Sequence, residues 1–321
     1  HVWSRIAARI PRVANFFNQT PLLRDAAKAI AGIARQRRIP PYASQTFLDW
    51  FAKRASVRLH PALARLPPRP LGEGGGEGVL STSQVVLWAD TFTNYFHPEI
   101  ARAAVEVLEA AGYEVQLPAT GLCCGRPLYD HGRLNEAKRY LRQIMAAVGP
   151  SLAGGASIVV LEPSCLAVFR DELPNLFPQD EEARRLSEAA VTLAEFLERS
   201  GWTPPRLEGS ALVHLHCHQK AVIGARADVA LLSKLGLGVK VLDSGCCGMA
   251  GAFGFERAHY DVSMQIGERV LLPAVRAAPL DTLIISDGFS CREQIAQATN
   301  RRALHLAEVL QTALRGSVTR G

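Results

Sequence analysis

The triplet Cys-Cys-Gly occurs twice in this 321-residue chain, at 123–125 within TGLCCGR and at 246–248 within VLDSGCCGMAGAFG. Only seven cysteines are present, so two copies are not expected by chance and the repeat implies a duplicated unit. On an extended strand, neighbouring side chains point to opposite faces, and two adjacent thiolates could not share one centre. Glycine removes that limit by letting the backbone turn through φ > 0. Gly245, Gly248, Gly251 and Gly254 surround Cys246 and Cys247, and they also leave room for a bulky group beside the main chain. An apolar run, Val239 to Leu242, precedes this loop and helical-looking sequence follows from about Arg257. Such a strand-to-loop-to-helix corner is where α/β sheets place their sites.

Taken in order, residues 84–200 and 201–321 replay one pattern. Short apolar strands are expected at Val85–Ala89, Tyr113–Leu117 and Ser157–Leu161, then at Leu212–Leu215, Val239–Leu242 and Thr282–Ser286. Helices are expected between them at Pro98–Ala111, Leu134–Val148 and Thr192–Arg199, then at Ala227–Leu235, Tyr260–Val275 and Leu304–Leu314. Alternating strands and helices predict an α/β fold with mostly parallel sheets. The chain reads as two duplicated units with pseudo-two-fold symmetry, at 81–200 and 201–321, whose cysteine-bearing ends meet near one interface. A helical arm, 1–66, precedes them, with breaks at Pro21 and Pro40-Pro41; Ile6, Ile10, Val13 and Phe17 share one amphipathic face of it. Pro67 to Gly78 reads as a flexible linker, set at 67–80.

Cysteines fall at the ends of strands in both halves. Cys217, Cys246, Cys247 and Cys291 are spaced C-x28-CC-x43-C, and a parallel sheet would gather all four at one edge. Four thiolates suit an iron–sulfur cluster or tetrahedral zinc. Zinc knuckles use short C-x2-C spacings, which are missing here, and the glycines suit a larger object than one ion; thiols without metal are the third reading. The first half offers only Cys123, Cys124 and Cys165. These could hold a second cluster with an outside ligand, form a vicinal disulfide at Cys123–Cys124, or persist for packing alone. His214, His216 and His218 would share the strand face opposite Cys217, as metal ligands or as hydrogen-bonded structural groups. Lys220, Ser290 and Arg292 crowd the same loops, Arg126, Tyr129, Asp130 and His131 follow the first triplet, and cations there would stabilise a cluster's negative charge. Asp130 and Ser290 suit capping as well.

Composition restricts the partners. Residues 1–80 hold 13 Lys+Arg against 4 Asp+Glu, a net of +9, while the remainder holds 23 against 26. The basic excess therefore belongs to the arm, which could dock on an acidic partner domain or an anionic membrane surface. Nucleic acid is disfavoured, because the arm lacks stacking aromatics interleaved with the charge and any recognition motif. No run of eighteen apolar residues offers a transmembrane span, and an odd cysteine count inside α/β sequence argues against a secreted disulfide framework. The expected setting is cytoplasmic, with peripheral contact at the inner face of the membrane as a further option. The chain begins at His1, within helical-looking sequence, and is expected to be part of a longer polypeptide.

The duplicated motif resembles the cysteine-rich CCG domain, C-x(n)-CCG-x(m)-C-x-x-C. That domain occurs in the cysteine-rich subunit of heterodisulfide reductase, in the iron–sulfur subunits of glycolate oxidase and anaerobic glycerol-3-phosphate dehydrogenase, and in lactate-utilisation proteins. The resemblance covers about residues 84–314. The stretches TFTNYFHPE, LCCGRPLYDHG, LEPSCLAVFRDELPNLFP and DSGCCGMAGAFGFE look most like the C-terminal part of fused FAD-linked D-2-hydroxy-acid oxidoreductases. The resemblance implies a 4Fe-4S cluster on Cys217, Cys246, Cys247 and Cys291, with Cys123, Cys124 and Cys165 remnants of a sister site. It also implies an FAD-binding oxidase domain and a ferredoxin-like 4Fe-4S segment, on missing sequence or another chain, and a quinone or other electron acceptor. The implied role is electron transfer from flavin in a lactate, glycolate or 2-hydroxyglutarate type of dehydrogenase. Cluster-based thiol–disulfide reduction and a zinc-stabilised docking scaffold are the alternatives. Three positions depart from the pattern: Thr91 stands for the leading cysteine of the first repeat, and Glu162 and Gly288 stand where each C-x-x-C begins. These departures argue against a five-cysteine noncubane cluster and leave a four-cysteine cluster in the second half.

Overall fold

The computed structural model describes residues 2–58, 84–118 and 121–318; the linker expected at 67–80 lies outside them. Two four-stranded sheets, each wholly parallel, form the body. The first holds β1 (Gln84–Trp88), β2 (Glu114–Gln116), β3 (Ser157–Val160) and β4 (Ala190–Val191) in the order β2-β1-β3-β4. The second holds β5 (Gly209–Val213), β6 (Leu237–Val241), β7 (Leu283–Ile285) and β8 (Ala303–Leu304) in the matching order β6-β5-β7-β8. The duplication is therefore structural as well as sequential.

The two-residue side-chain period of a strand explains the layering. Val85 and Leu87 of β1 enter one core, and Val86 and Trp88 enter another on the opposite face. In the second sheet, Ala211 and Val213 of β5 join the same core as Val85 and Leu87, while Leu212 faces a third core. One apolar layer is thus common to both sheets. Helices Pro98–Ala110 and Leu193–Arg199 from the first unit meet Leu306–Val318 and Arg226–Leu235 from the second within that layer. Burial on both faces is the usual state of parallel sheets and accounts for their continuous Val/Ile/Leu runs.

Several expected boundaries move. The strand at Leu212–Leu215 ends at Val213, so the histidines beyond it lie off the sheet. The helix expected across Tyr260–Val275 is two, Tyr260–Glu268 and Leu271–Ala277. Pro273 explains the break, since its ring clashes with the carbonyl four residues back. β4 and β8, two residues each, carry no readable period.

The arm forms helices at Val2–Ala7, Pro11–Gln19, Pro21–Ile30 and Phe47–Arg58. Between the last two helices a non-helical strap crosses the second unit. The Ala34 amide donates to the Phe255 carbonyl at 2.8 Å, and the Arg257 amide to the Gly32 carbonyl at 2.8 Å. Further on, the Ala43 amide donates to the Tyr95 carbonyl (2.8 Å) and the Leu48 amide to Asn94 Oδ1 (3.0 Å), which anchors the arm to the first unit. Ile6, Ile10, Val13 and Phe17 do not line one helix, because Ile6 lies on Val2–Ala7, Ile10 caps Pro11–Gln19 from outside it and the other two lie on it, and all four are about half exposed rather than buried. Among the described residues, no helix is long and apolar enough to cross a membrane.

His97 precedes helix Pro98–Ala110 and reaches across the units, with Nδ1 3.0 Å from Glu99 Oε1 and Nε2 3.6 Å from Glu293 Oε1. Against the burial that would lower it, the carboxylates of Glu293 and Glu99 push His97 up to about 9 from its ordinary 6.5. A raised folded-state value gives stability that is complete below about 6.5 and lost as pH rises through about 9. The unfolding free energy from urea titrations is expected to fall across that window, by on the order of 1 kcal/mol after solvent screening. The His97→Gln chain should lack the slope; an unchanged slope would remove His97 as its source.

Candidate functional site

All strands of a parallel sheet end at one edge, so the loops after β5, β6 and β7 emerge together. They carry Cys217, Cys246–Cys247 and Cys291. The Cys217 thiol interacts with Cys246, Cys246 with Cys247, and Cys247 with Cys291. The sequence-predicted quartet is therefore assembled as one continuous set. Two backbone amides point at it: Gly248 N–H donates to Cys246 Sγ (3.3 Å) and Met249 N–H to Cys247 Sγ (3.4 Å).

The loop turns where φ is positive, at Gly248 (90°), Ala250 (40°) and Gly251 (62°). Gly245 is not among these positions and has no neighbour within 4 Å of a would-be Cβ, so the turn does not depend on it. Gly248 has a second reason to lack a side chain. A Cβ there would overlap the Ser263 carbonyl oxygen, because the loop rests directly on the backbone of helix Tyr260–Glu268. Gly254 is as tight, with its would-be Cβ 2.7 Å from Ser263 Oγ.

Protons are unevenly shared in the quartet. Donation from Cys217 and Cys247, helped by the Gly248 amide, pushes Cys246 down to about 2 despite burial. Donation from Cys247, with His216 and His214 beside it, holds Cys291 well below the usual thiol range. Cys217 and Cys247 are pushed up, as donors to those sulfurs and by burial. Such a set is half-prepared for a metal centre, since the thiolate is the ligand.

The histidines do not lie opposite Cys217, because the strand has already ended. The ligand atoms of His216, Cys217 and His218 all fall within 4.8 Å of one another. His216 Nδ1 accepts the His218 amide at 3.2 Å and is 3.9 Å from Cys217 Sγ. Its ring also fills the space beside Gly288, where a Cβ would collide with it. The cysteine that the C-x-x-C pattern expects at 288 is thus replaced sterically by an imidazole. His214 Nδ1 pairs with Ser244 Oγ at 2.8 Å, and Lys220 Nζ donates to the Ser244 carbonyl, which pins the β6 exit. Arg292 caps the β7 exit through the Ser286 (3.2 Å) and Asp287 carbonyls, and Ser290 Oγ accepts the Gly251 amide at 3.3 Å.

The first unit presents a different set. Cys123 interacts with Cys124, and Cys124 with Cys165, all as free thiols, so no vicinal disulfide is formed. Although Cys124 donates to it, burial and the carboxylates of Asp90 and Glu162 push Cys165 up to about 11. Cys123 is raised by donating to Cys124 and by burial. Cys217 stands four residues past β5; four past β1 stands Phe92, one beyond the expected Thr91. Phe92 stacks on Phe289 of the second unit at 4.0 Å and 8°. Glu162 is buried, accepts the Ser164 hydroxyl (2.8 Å) and, across the units, the Phe289 amide at 2.9 Å.

The two cysteine edges face each other, as the pseudo-symmetry predicts. Arg126, two residues past Cys124, bonds His218 and pairs with buried Glu172. It also meets Asp130 at 3.2 Å, so Asp130 is an ion-pair partner of its own helix rather than a cap. Glu172 and Phe289 carried no sequence signal for these roles. Phe289 meets Glu162 across 127 residues, and Glu172 acts through Arg126, whose other partner, His218, is 92 residues further on.

Comparison with known proteins bears on this arrangement. The family model described as cysteine-rich domain, CCG, matches residues 90–170 and 212–304. The chain is 28% identical over 300 residues to a subunit of the anaerobic glycerol-3-phosphate dehydrogenase of Escherichia coli (strain K12), covering 91% of this chain and 69% of that protein. It is 31% identical over 246 residues to lactate utilization protein A of Geobacillus kaustophilus (strain HTA426), covering 71% and 98%. Lactate utilization protein A of Bacillus subtilis (strain 168) is 29% identical over 248 residues, covering 71% and 99%.

Proposed function

The chain belongs to the cysteine-rich CCG domain family, and on that premise we propose that it is the iron–sulfur electron-transfer module of a flavin-linked dehydrogenase. The reading rests on one observation above the others: four thiols from three strand ends interact in one continuous chain, Cys217 to Cys246 to Cys247 to Cys291. Relatives named as a dehydrogenase subunit and as lactate utilization proteins support a redox partner that oxidises a hydroxylated small molecule. The class favoured here is a D-2-hydroxy acid of lactate, glycolate or 2-hydroxyglutarate type. An FAD-binding oxidase domain and a ferredoxin-like segment would deliver electrons, and a quinone or similar acceptor would receive them.

Cys217, Cys246, Cys247 and Cys291 would hold a 4Fe-4S cluster. The donor chemistry fits: Cys246 and Cys291 favour the thiolate, and the Gly248 and Met249 amides already point at sulfur. A bound cluster supplies one-electron storage at this edge of the sheet. The chain's own contribution is placement. Gly248 lets both sulfurs of the pair face one way, Lys220 and Arg292 fix the strand exits, and His216 closes the Gly288 side. The first unit supplies only three thiols, Cys123, Cys124 and Cys165, and Phe92 stands where the second unit has Cys217, which disfavours a second cluster there.

Iron and acid-labile sulfide on anaerobically purified protein test this, with EPR before and after dithionite. About four irons per chain with a reduced-state signal are expected. About eight would mean that the first unit is loaded too. One zinc without iron, held near His216, Cys217 and His218, would end the electron-transfer reading in favour of a scaffold.

A further inference from the structure

Arg37 belongs to the arm, outside both segments that carry the family match, yet it is only 1% exposed. Its Nε donates to the Gly254 carbonyl (2.6 Å), and its two terminal nitrogens donate to Gln294 Oε1 (2.7 Å) and Ser263 Oγ (2.8 Å). The guanidinium carbon lies 4.9 Å from the Tyr260 ring centroid. Each partner belongs to the walls of the second cysteine site. Gly254 ends the loop that begins at Cys246, Gln294 stands three residues past Cys291 on one helix, and Ser263 carries the backbone on which Gly248 rests. Gln294 closes the network by donating to the Ser263 carbonyl at 3.2 Å.

All three hydrogen-bond acceptors are neutral. A buried guanidinium so placed stays charged at any ordinary pH, and neutral acceptors offset only part of the cost of removing it from water. The acidic groups within electrostatic reach are the Tyr260 hydroxyl and Cys247. The site thus contains a fixed positive charge, behind the Cys-Cys-Gly loop, that lacks a carboxylate among its hydrogen-bond partners. The strap holds it there: Arg38 N–H donates to Gln297 Oε1 (3.0 Å), and Gln297 Nε2 returns a bond to the Arg38 carbonyl (3.0 Å).

We propose that Arg37 is the buried counter-charge of the cluster held by the second unit, supplied by the arm, and that it raises the cluster's reduction potential. One-electron reduction by the flavin or ferredoxin-type donor adds one negative charge beside Cys247, and the guanidinium favours that state over the oxidised one. Arg37 is a positioning residue that touches neither substrate nor acceptor. The inference rests on the cluster reading above.

The test is an EPR-monitored redox titration of the full chain with Arg37→Gln and Arg37→Lys, alongside iron content. Wild-type protein without iron would sink the cluster reading itself, and only iron-loaded wild type makes the comparison meaningful. The expected result is a lower midpoint potential in Arg37→Gln and a near wild-type potential in Arg37→Lys. Iron loss in Arg37→Gln with a loaded, wild-type-like Arg37→Lys also supports the proposal, because charge alone separates the two. A loaded Arg37→Gln with unchanged potential overturns it. So does Arg37→Lys behaving like Arg37→Gln, which would make the fork geometry, not the charge, what matters.

Discussion

Cys246→Ser is expected to abolish iron binding by the chain. Cys246 accepts from both Cys217 and Cys247 and from the Gly248 amide, so it lies at the middle of the quartet and favours the thiolate. A serine hydroxyl preserves shape but is a far weaker ligand for iron. The loss should exceed the roughly tenfold weakening that follows removal of a mere outer partner of a metal ligand. Cys123→Ser should leave iron nearly unchanged, since the first unit supplies only three thiols and has Phe92 where the second unit has Cys217. Iron per chain in the two variants, purified anaerobically side by side, decides the matter. Equal losses would sink the asymmetry between the units.

Gly248→Ala is expected to be the most damaging change that leaves every thiol in place. Two costs combine there. A left-handed backbone with a Cβ costs about 1–2 kcal/mol, and the φ at Gly248 is 90°. The new methyl must also push the loop off the Ser263 carbonyl, and overpacking of that kind costs roughly 1–3 kcal/mol. Gly251→Ala is the control: its φ is 62°, but nothing lies within 4 Å of the added carbon, so only the conformational cost applies. Urea unfolding of the iron-free chains should place Gly248→Ala well below Gly251→Ala. Equal stabilities would mean that the loop does not rest on helix Tyr260–Glu268 as described.

These expectations depend on how much of the molecule was legible beforehand. The duplicated parallel sheets were, because Val85–Trp88 and Ala211–Val213 are apolar on both faces and the cysteines punctuate strand ends. The quartet was legible for the same reason, since parallel strands deliver their exits to one edge. The histidine geometry was not. Reading His214, His216 and His218 on one face assumed that the strand ran to Leu215, and two residues of overrun reversed their relation to Cys217. Gly288 looked like a lost ligand, and only packing shows the His216 ring in its place. Gly245 looked equivalent to Gly248, but only the latter meets a carbonyl. Arg37 drew no notice among eight basic residues in the first forty, because nothing local marks a charge whose acceptors lie more than two hundred residues away.

That separation has a consequence for how the molecule is made. The strap around Arg37 is synthesised before either sheet, yet Gly254, Ser263 and Gln294 follow it by 217, 226 and 257 residues. None of these three acceptors exists while the first sheet is being translated. The cysteine quartet is completed at Cys291 and the last of these acceptors appears three residues later, so the quartet and the fastening behind it become available almost together. Contacts of such long range form late, after the entropy of closing the loop between them has been overcome. A stretch made before both sheets is therefore among the last to be locked.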